Sequence, residues 1–290
     1  MGNISTYASN TILNFLLGRQ ETVVPSCFYC ALSTEPIGTN GDGLKEPDDP
    51  AYKRLKVPND EITFSLANNK IVTIISDLVF EESSVAWGKV THYVFFDNLQ
   101  NIWFYGELEV SRDIEIYSSL VLDRNYTKFK FDICGGSTQD MSINTPVANK
   151  ILNHFLRQSP PLTLPEYYYL GVSSTPIDIS GYGYTEPPAI EYKRVVIPND
   201  KNSFTIAKNK SLTLKKSFSF STANVDWGVM THYFISDSPT GGDIWWRGVL
   251  DFSRNVEIAT TLLVKPEGFK WILDSCYDRT DLQPALPYWG

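Results

Sequence analysis

The residues of this chain whose types and spacing could do chemistry fall into three groups. Cys27 and Cys30 have the Cys-x-x-Cys spacing of redox and metal motifs, but no second pair completes a metal site. In a strand, a spacing of three puts the two thiols on opposite faces, so they are expected to be small packing residues. His92 and His232 stand in one shared motif, Trp87-Gly88-x-x-Thr91-His92-Tyr93 and Trp227-Gly228-x-x-Thr231-His232-Tyr233, with Asp97 and Asp237 five residues past the histidines. His and Asp are two members of a hydrolase triad. No Ser or Cys in a strained elbow accompanies them, and neither carboxylate has a retained acidic partner for glycosidase chemistry. The motif is therefore expected to determine the fold: a core Trp, a Gly at a bulge or close backbone approach, a hydrogen-bonded strand His, and an Asp opening the next turn. The third group is aromatic. Ile102-Trp103-Phe104-Tyr105 and Ile244-Trp245-Trp246 put large rings on both faces of a strand. Some of Trp103, Tyr105, Trp245 and Trp246 are expected to face a sugar, a helix or another protein, protein contact being favoured. No catalytic residue, cofactor or metal ligand is expected.

The elements that must position these residues are written twice. Tyr52-Lys53-Arg54 reappears as Tyr192-Lys193-Arg194, and Pro58-Asn59-Asp60 as Pro198-Asn199-Asp200, at the same offset of 140 that relates Trp87 to Trp227. The offset rises to 142 at Ser111-Arg112 and Ser253-Arg254, because the second copy carries Pro239 to Gly242 in the turn after Asp237, which marks a surface loop. Arg54/Arg194, Arg112/Arg254, Glu46/Glu186 and Asp60/Asp200 are the charges kept in both copies, and are expected to make ion pairs within a domain or with a neighbouring subunit. Each copy opens on an amphipathic helix, Thr11 to Leu17 and Lys150 to Leu156, with Asn10 and Asn149 placed to cap it. Each helix is expected to lie on the domain that follows it. Short runs rich in Val, Ile, Thr, Phe and Tyr follow, among them Cys27 to Leu32, Ile62 to Leu66, Ile71 to Ile75, Val85 to Phe96 and Ile102 to Leu108. About eight strands per copy, with Asn68-Asn69 suited to a hairpin turn, predict an all-β protein: two tandem antiparallel β-sandwich, jelly-roll-like domains, each preceded by a short α-helix. The expected divisions are a first repeat over 1–134, a linker over 135–148, a second repeat over 149–275 and a tail over 276–290. In that tail Tyr288 and Trp289, beside Pro284 and Pro287, are expected to dock on a partner.

Composition narrows the classes further. The chain has 290 residues, is 42% hydrophobic and 20% charged, and has a net charge of −8 from 25 basic and 33 acidic residues. Residues 1–145 hold 11 of the basic and 19 of the acidic side chains, leaving 14 of each in the remainder, so the whole excess lies in the first repeat. That balance does not suit a nucleic-acid-binding surface. With no apolar run of membrane length and no signal-peptide pattern at the start, a soluble protein made in the cytosol is expected.

The strand ending Tyr29-Cys30-Ala31-Leu32-Ser33-Thr34, the Tyr-Lys-Arg strand, and Trp87 to Asp97 with Trp227 to Asp237 carry a resemblance that covers nearly all of both copies. The chain resembles the small tail-fibre-like virion proteins of tailed bacteriophages, whose repeat carries Tyr-x-Ala-Leu-Ser-Thr and Trp-Gly-x-Val-Thr-His before an Asp-containing turn. The second copy departs at Met230, where the first has Val90. The resemblance implies a structural part of a phage particle, in the tail, neck, collar or fibre attachment, with other virion proteins as partners and a homo-oligomeric state on the particle. The alternatives are a receptor- or carbohydrate-binding module built on Trp103, Trp245 and Trp246, and a capsid decoration protein.

Overall fold

Short runs of β-branched and aromatic residues broken by Gly, Pro, Asn and Asp cannot sustain helices, and among the described residues they fold as nine strands in each repeat. The computed structural model describes residues 2–18, 20–130 and 142–273. The first repeat runs β1 (Gly2–Ile4), α1 (Thr6–Leu16), β2 (Cys27–Ser33), β3 (Leu55–Pro58), β4 (Ile71–Thr73), β5 (Leu78–Val79), β6 (Gly88–Phe96), β7 (Ile102–Ile114), β8 (Val121–Leu122) and β9 (Lys128–Lys130). The second runs β10 (Ser142–Ile143), α2 (Thr145–Leu156), β11 (Tyr167–Ser173), β12 (Val195–Pro198), β13 (Ser211–Thr213), β14 (Phe218–Ser219), β15 (Gly228–Ser236), β16 (Ile244–Val256), β17 (Leu263–Val264) and β18 (Lys270–Ile272).

Each repeat builds a five-stranded antiparallel sheet, in the order β3-β2-β6-β7-β1 and β12-β11-β15-β16-β10. Short pairs cover it: β4 with β9, β5 with β8, β13 with β18, and β14 with β17. In the first repeat one parallel bridge from Gly2 to Phe129 also joins β9 to the large sheet. The two-layer, all-β architecture expected from the sequence is therefore present in both copies. Its core is aromatic. Phe28, Phe95 and Phe104 from the large sheet meet Phe64 and Phe129 from the cover edge to face. Tyr168 and Trp246 meet Phe204 and Trp271 in the second repeat. The Ile62 to Leu66 run is not a continuous strand, yet Phe64 bridges Ile74 and Asn69 and Lys70 both adopt positive φ, 48° and 64°, as a type I′ hairpin turn requires. Asn209 and Lys210 repeat that turn at 50° and 61°.

Both helices start earlier than expected. The caps are Ser5, whose side chain accepts the Ala8 N–H at 3.0 Å, and Asn144, with Pro146 in the first turn. Residues 142–148, expected to be linker, thus belong to the second repeat, while the rest of that segment and the 276–290 tail with Tyr288 and Trp289 lie outside the described residues. Asn10 and Asn149 sit in the middle of their helices and do different work. The Asn10 Oδ1 accepts the N–H of Lys210 at 2.9 Å and the Asn14 Oδ1 that of Ala207 at 2.7 Å, both in the second repeat. Reciprocally, Asn149 accepts Lys70 N–H and Asn153 accepts Ala67 N–H, each at 2.8 Å, in the first. The expectation that each helix lies on its own following domain covers only part of its contacts: each is rooted in its own sheet, through Ser5 N–H to Trp103 O and Asn144 N–H to Trp245 O, and also packs onto the hairpin of the other repeat. The last carbonyls of α1 and α2, which have no partner within a helix, are claimed by the opposite copy. Leu16 O accepts from Asn199 Nδ2 at 3.0 Å and from the Tyr168 hydroxyl at 2.9 Å, and Phe155 O accepts from Asn59 Nδ2 at 2.8 Å. The helices meet each other at Phe15, stacked on His154 and edge-on to Phe155.

Asn153→Ala leaves the buried Ala67 N–H unpaired and is expected to cost about 1–3 kcal/mol in urea unfolding; Asn14→Ala is expected to cost a similar amount, since it does the same to Ala207 in the other repeat.

Candidate functional site

The shared motif lies on β6 and β15, the middle strand of each large sheet. Gly88 and Gly228 have φ of 70° and 78°, which a residue with a Cβ adopts at a cost, and open space surrounds the position a Cβ would take. The backbone conformation alone therefore calls for glycine there. Trp87 packs edge-on to Tyr52, and its Nε1 donates to Asp49 Oδ2 at 2.7 Å. Trp227 packs the same way on Tyr192 and donates to Glu191 Oε1 at 3.1 Å. Burial pushes the Asp49 carboxyl up, but the bonds from Ser84, Trp87 and the Ala51 and Ser84 N–H groups outweigh it and hold it well below the usual carboxylate range.

Thr91 and Thr231 lie where the ladder to β7 and β16 shifts register, so that residues 108–111 bulge from β7. Their hydroxyls reach the carbonyls of Ser33 and Ser174 at 3.4 and 3.2 Å, and each also meets Nδ1 of the next histidine at 2.7 Å. Both imidazoles are half-buried. Burial lowers the His92 pKa against the pull of Glu107, and burial with Arg247 lowers that of His232. The motif carboxylates do not join these rings. Asp97 accepts Leu99 N–H at 2.9 Å and Asn101 N–H at 2.8 Å, opening the turn, and also holds the Trp103 indole N–H at 3.1 Å. Asp237 likewise holds Asp243 N–H at 2.9 Å and the Trp245 indole N–H at 3.2 Å. A His–Asp dyad is thus not assembled at either copy. Among the described residues no group of three or more His, Cys, Asp or Glu could hold a metal ion, and no helix is long and apolar enough to cross a membrane. Cys27 is half-buried and Cys30 buried, both as free thiols, with the Cys30 thiol pushed up by burial.

The aromatic strand residues expected to meet a partner or a sugar are covered by the chain itself. Trp103, Tyr105, Trp245 and Trp246 are 1%, 4%, 3% and 3% exposed. Trp103 lies against Phe28 of its own sheet, Tyr7 of α1 and Phe155 of α2. Tyr105 faces the other way, packed with Ile37 of the loop after β2 and with Val94 and Phe96. Trp245 and Trp246 pack on Tyr168. The exchanged helices cover one face and the Gly-containing loop the other, so both sides of the strand are used without an outside partner. The retained arginines at 54 and 194 make ion pairs within their repeats. Arg54 forks onto Glu46, its Nε 3.0 Å from Oε2, above the Phe96 ring. Arg194 forks onto Glu186 at 2.9 and 2.8 Å and also donates to the carbonyls of Ser238 and Gly241, anchoring the longer turn of the second copy.

The residues missed from sequence are Asn14, Asn153, Asn59 and Asn199, which join the repeats. Their signal was an Asn pair spaced by four on a helix and kept in both copies, Asn10/Asn14 and Asn149/Asn153, although Asn is a poor helix former.

Asp49→Asn is expected to lower the melting temperature at neutral pH, because a carboxyl whose folded pKa is depressed stabilises the fold above its unfolded value of about 3.9. The gap between variant and parent is expected to close as pH falls below about 4 in thermal melts monitored by circular dichroism.

No curated protein matches the chain. A family model described as podophage GP4 fiber I protein gp80 matches residues 3–129 and again 142–271, one match for each helix-plus-sandwich repeat. The chain therefore belongs to the podophage GP4 fiber I protein family, a family of phage fibre proteins of the virion.

Proposed function

We propose that this chain is a structural component at the fibre of a short-tailed phage, in the tail, neck, collar or fibre attachment, acting through protein contacts in a homo-oligomeric assembly. The observation that carries the reading is that the family match repeats over both copies while reciprocal helix exchange ties the copies into one unit. Such a unit presents two related but differently charged surfaces to its neighbours, which suits a connecting part. The side chains on which a sugar platform would be built, Trp103, Trp245 and Trp246, are spent on internal packing, which favours assembly over glycan binding through that strand.

Quantitative mass spectrometry of purified particles, referred to the major capsid protein, tests this. A copy number of about 6 to 12, or a small multiple, is expected for a symmetric station at the tail or neck. Hundreds of copies would make it a capsid decoration protein, and absence from the particle would overturn the reading.

A further inference from the structure

The two repeats share one fold, so differences that the fold does not require show where the copies serve different contacts. Two such differences stand out, and their charges are opposite. The first is a cleft of about 630 Å³ in the first repeat, between the β7 bulge and the segment that carries β8. At the matching place in the second repeat Phe269, 1% exposed, packs edge-on to Tyr233 with ring centres 4.9 Å apart. The first repeat has Thr127 at that position, at the offset of 142 that holds there. Nothing of comparable size fills the space, and Tyr93 in the cleft wall, 2% exposed, has a buried hydroxyl with no hydrogen-bond partner. The wall carries Glu107, Glu109, Asp113 and Asp123 against Arg112. The equivalent residues in the second repeat are Val249, Asp251, Asn255, Lys265 and Arg254, which removes the acidic excess.

The second difference is a groove of about 500 Å³ beside β12 and β14, where β12 is the outer strand of its sheet. Lys193, Lys216 and three serines, Ser217, Ser219 and Ser221, lie along it, and none of its lining residues is acidic. In the first repeat the counterpart of Lys193 is Lys53, paired with Glu81 at 3.4 Å. Ser221 replaces that glutamate, Lys216 replaces Ser76, and Ser217 replaces Asp77. The second copy has thus lost two acids and gained a base at one spot, while the first copy has opened an acidic cleft between the β7 bulge and the β8 segment. Of the pairings these two sites and their two counterparts allow, the basic groove with the acidic cleft brings together the largest opposite charges.

We propose that copies of this chain join head to tail, the exposed Lys193 and Lys216 side chains at the rim of the groove of one copy reaching into the acidic cleft in the first repeat of the next. The proposal rests on the chain being an assembly part. A contact between two unlike surfaces propagates, closing into a ring or continuing as a chain. Cationic side chains entering the cleft meet the four carboxylates of Glu107, Glu109, Asp113 and Asp123, opposed there by Arg112 alone.

The test is sedimentation velocity on the purified full-length chain at roughly 10 and 100 µM, in low and in high salt. Association that grows with concentration and weakens with salt is expected. The double variant K193E/K216E, changed at two exposed positions, is expected to weaken it at least about tenfold. Mixing that variant with E109K/D113K is expected to restore it, since the charges are then complementary again. T127F, which supplies the phenyl ring that the second repeat has, is expected to weaken association with charges unchanged, its folding checked by circular dichroism. A chain that stays monomeric at both concentrations in low salt overturns the proposal. So does association that K193E/K216E and T127F both leave intact. Membership of the particle is read separately by mass spectrometry, so a failure of this pairing is distinguishable from a failure of the fibre reading.

Discussion

The structure depends on how the ends of two short helices are satisfied. Helices of 11 and 12 residues are marginal by themselves in water, and their last carbonyls have no partner within the helix. Here those carbonyls, and the N–H groups of Lys70 and Lys210 in the two type I′ turns and of Ala67 and Ala207 just before them, are satisfied by residues of the opposite repeat. Each such bond contributes only about 0.5–1.5 kcal/mol net, but leaving one of these buried groups unpaired costs about 1–3 kcal/mol. The apolar face of each helix adds to this, with Ile12, Leu13 and Leu16 on α1 and Ile151, Leu152 and Phe155 on α2 all buried. The helices therefore form by docking, between their own sheet and the hairpin of the other copy.

This exchange explains why the aromatic strand residues need no outside partner. Trp103 is held from one side by its own sheet and from the other by Tyr7 and Phe155, so the two helices meet over the same indole. The acid after each central strand ties that indole to the turn, and the acid of the long loop ties down the motif tryptophan. The shared motif is accordingly a set of joints between layers. What the two copies present outward, by contrast, has diverged, the first acidic and the second balanced. A unit that is uniform inside and polar in its outward charge is suited to linking unlike neighbours in a particle.

Much of this was legible in the residues. The offset of 140 exposed the duplication, alternating apolar runs marked the sheets, Asn68-Asn69 marked the hairpin, whose turn sits one residue later at Asn69-Lys70, and Asp97 marked the turn that it does open. The helix position was misjudged because periodicity finds an apolar stripe but not where a strand hands over to a helix; Ser5 and Asn144 serve as both sheet edge and cap. The exchange itself was hidden, since a stripe does not say which surface it will cover. The acid beneath the motif tryptophan was hidden for another reason. It is Asp49 in one copy and Glu191 in the other, positions that the constant offset does not relate, so the interaction is kept while the residue moves.

The central claim is that the two repeats are one cooperative unit joined by exchanged helices. Scanning calorimetry of the full chain tests it most directly, by the ratio of calorimetric to van't Hoff enthalpy. A single transition with a ratio near 1 is the predicted result. Two resolved transitions, or a ratio near 2, would show that the repeats unfold independently and contradict the account.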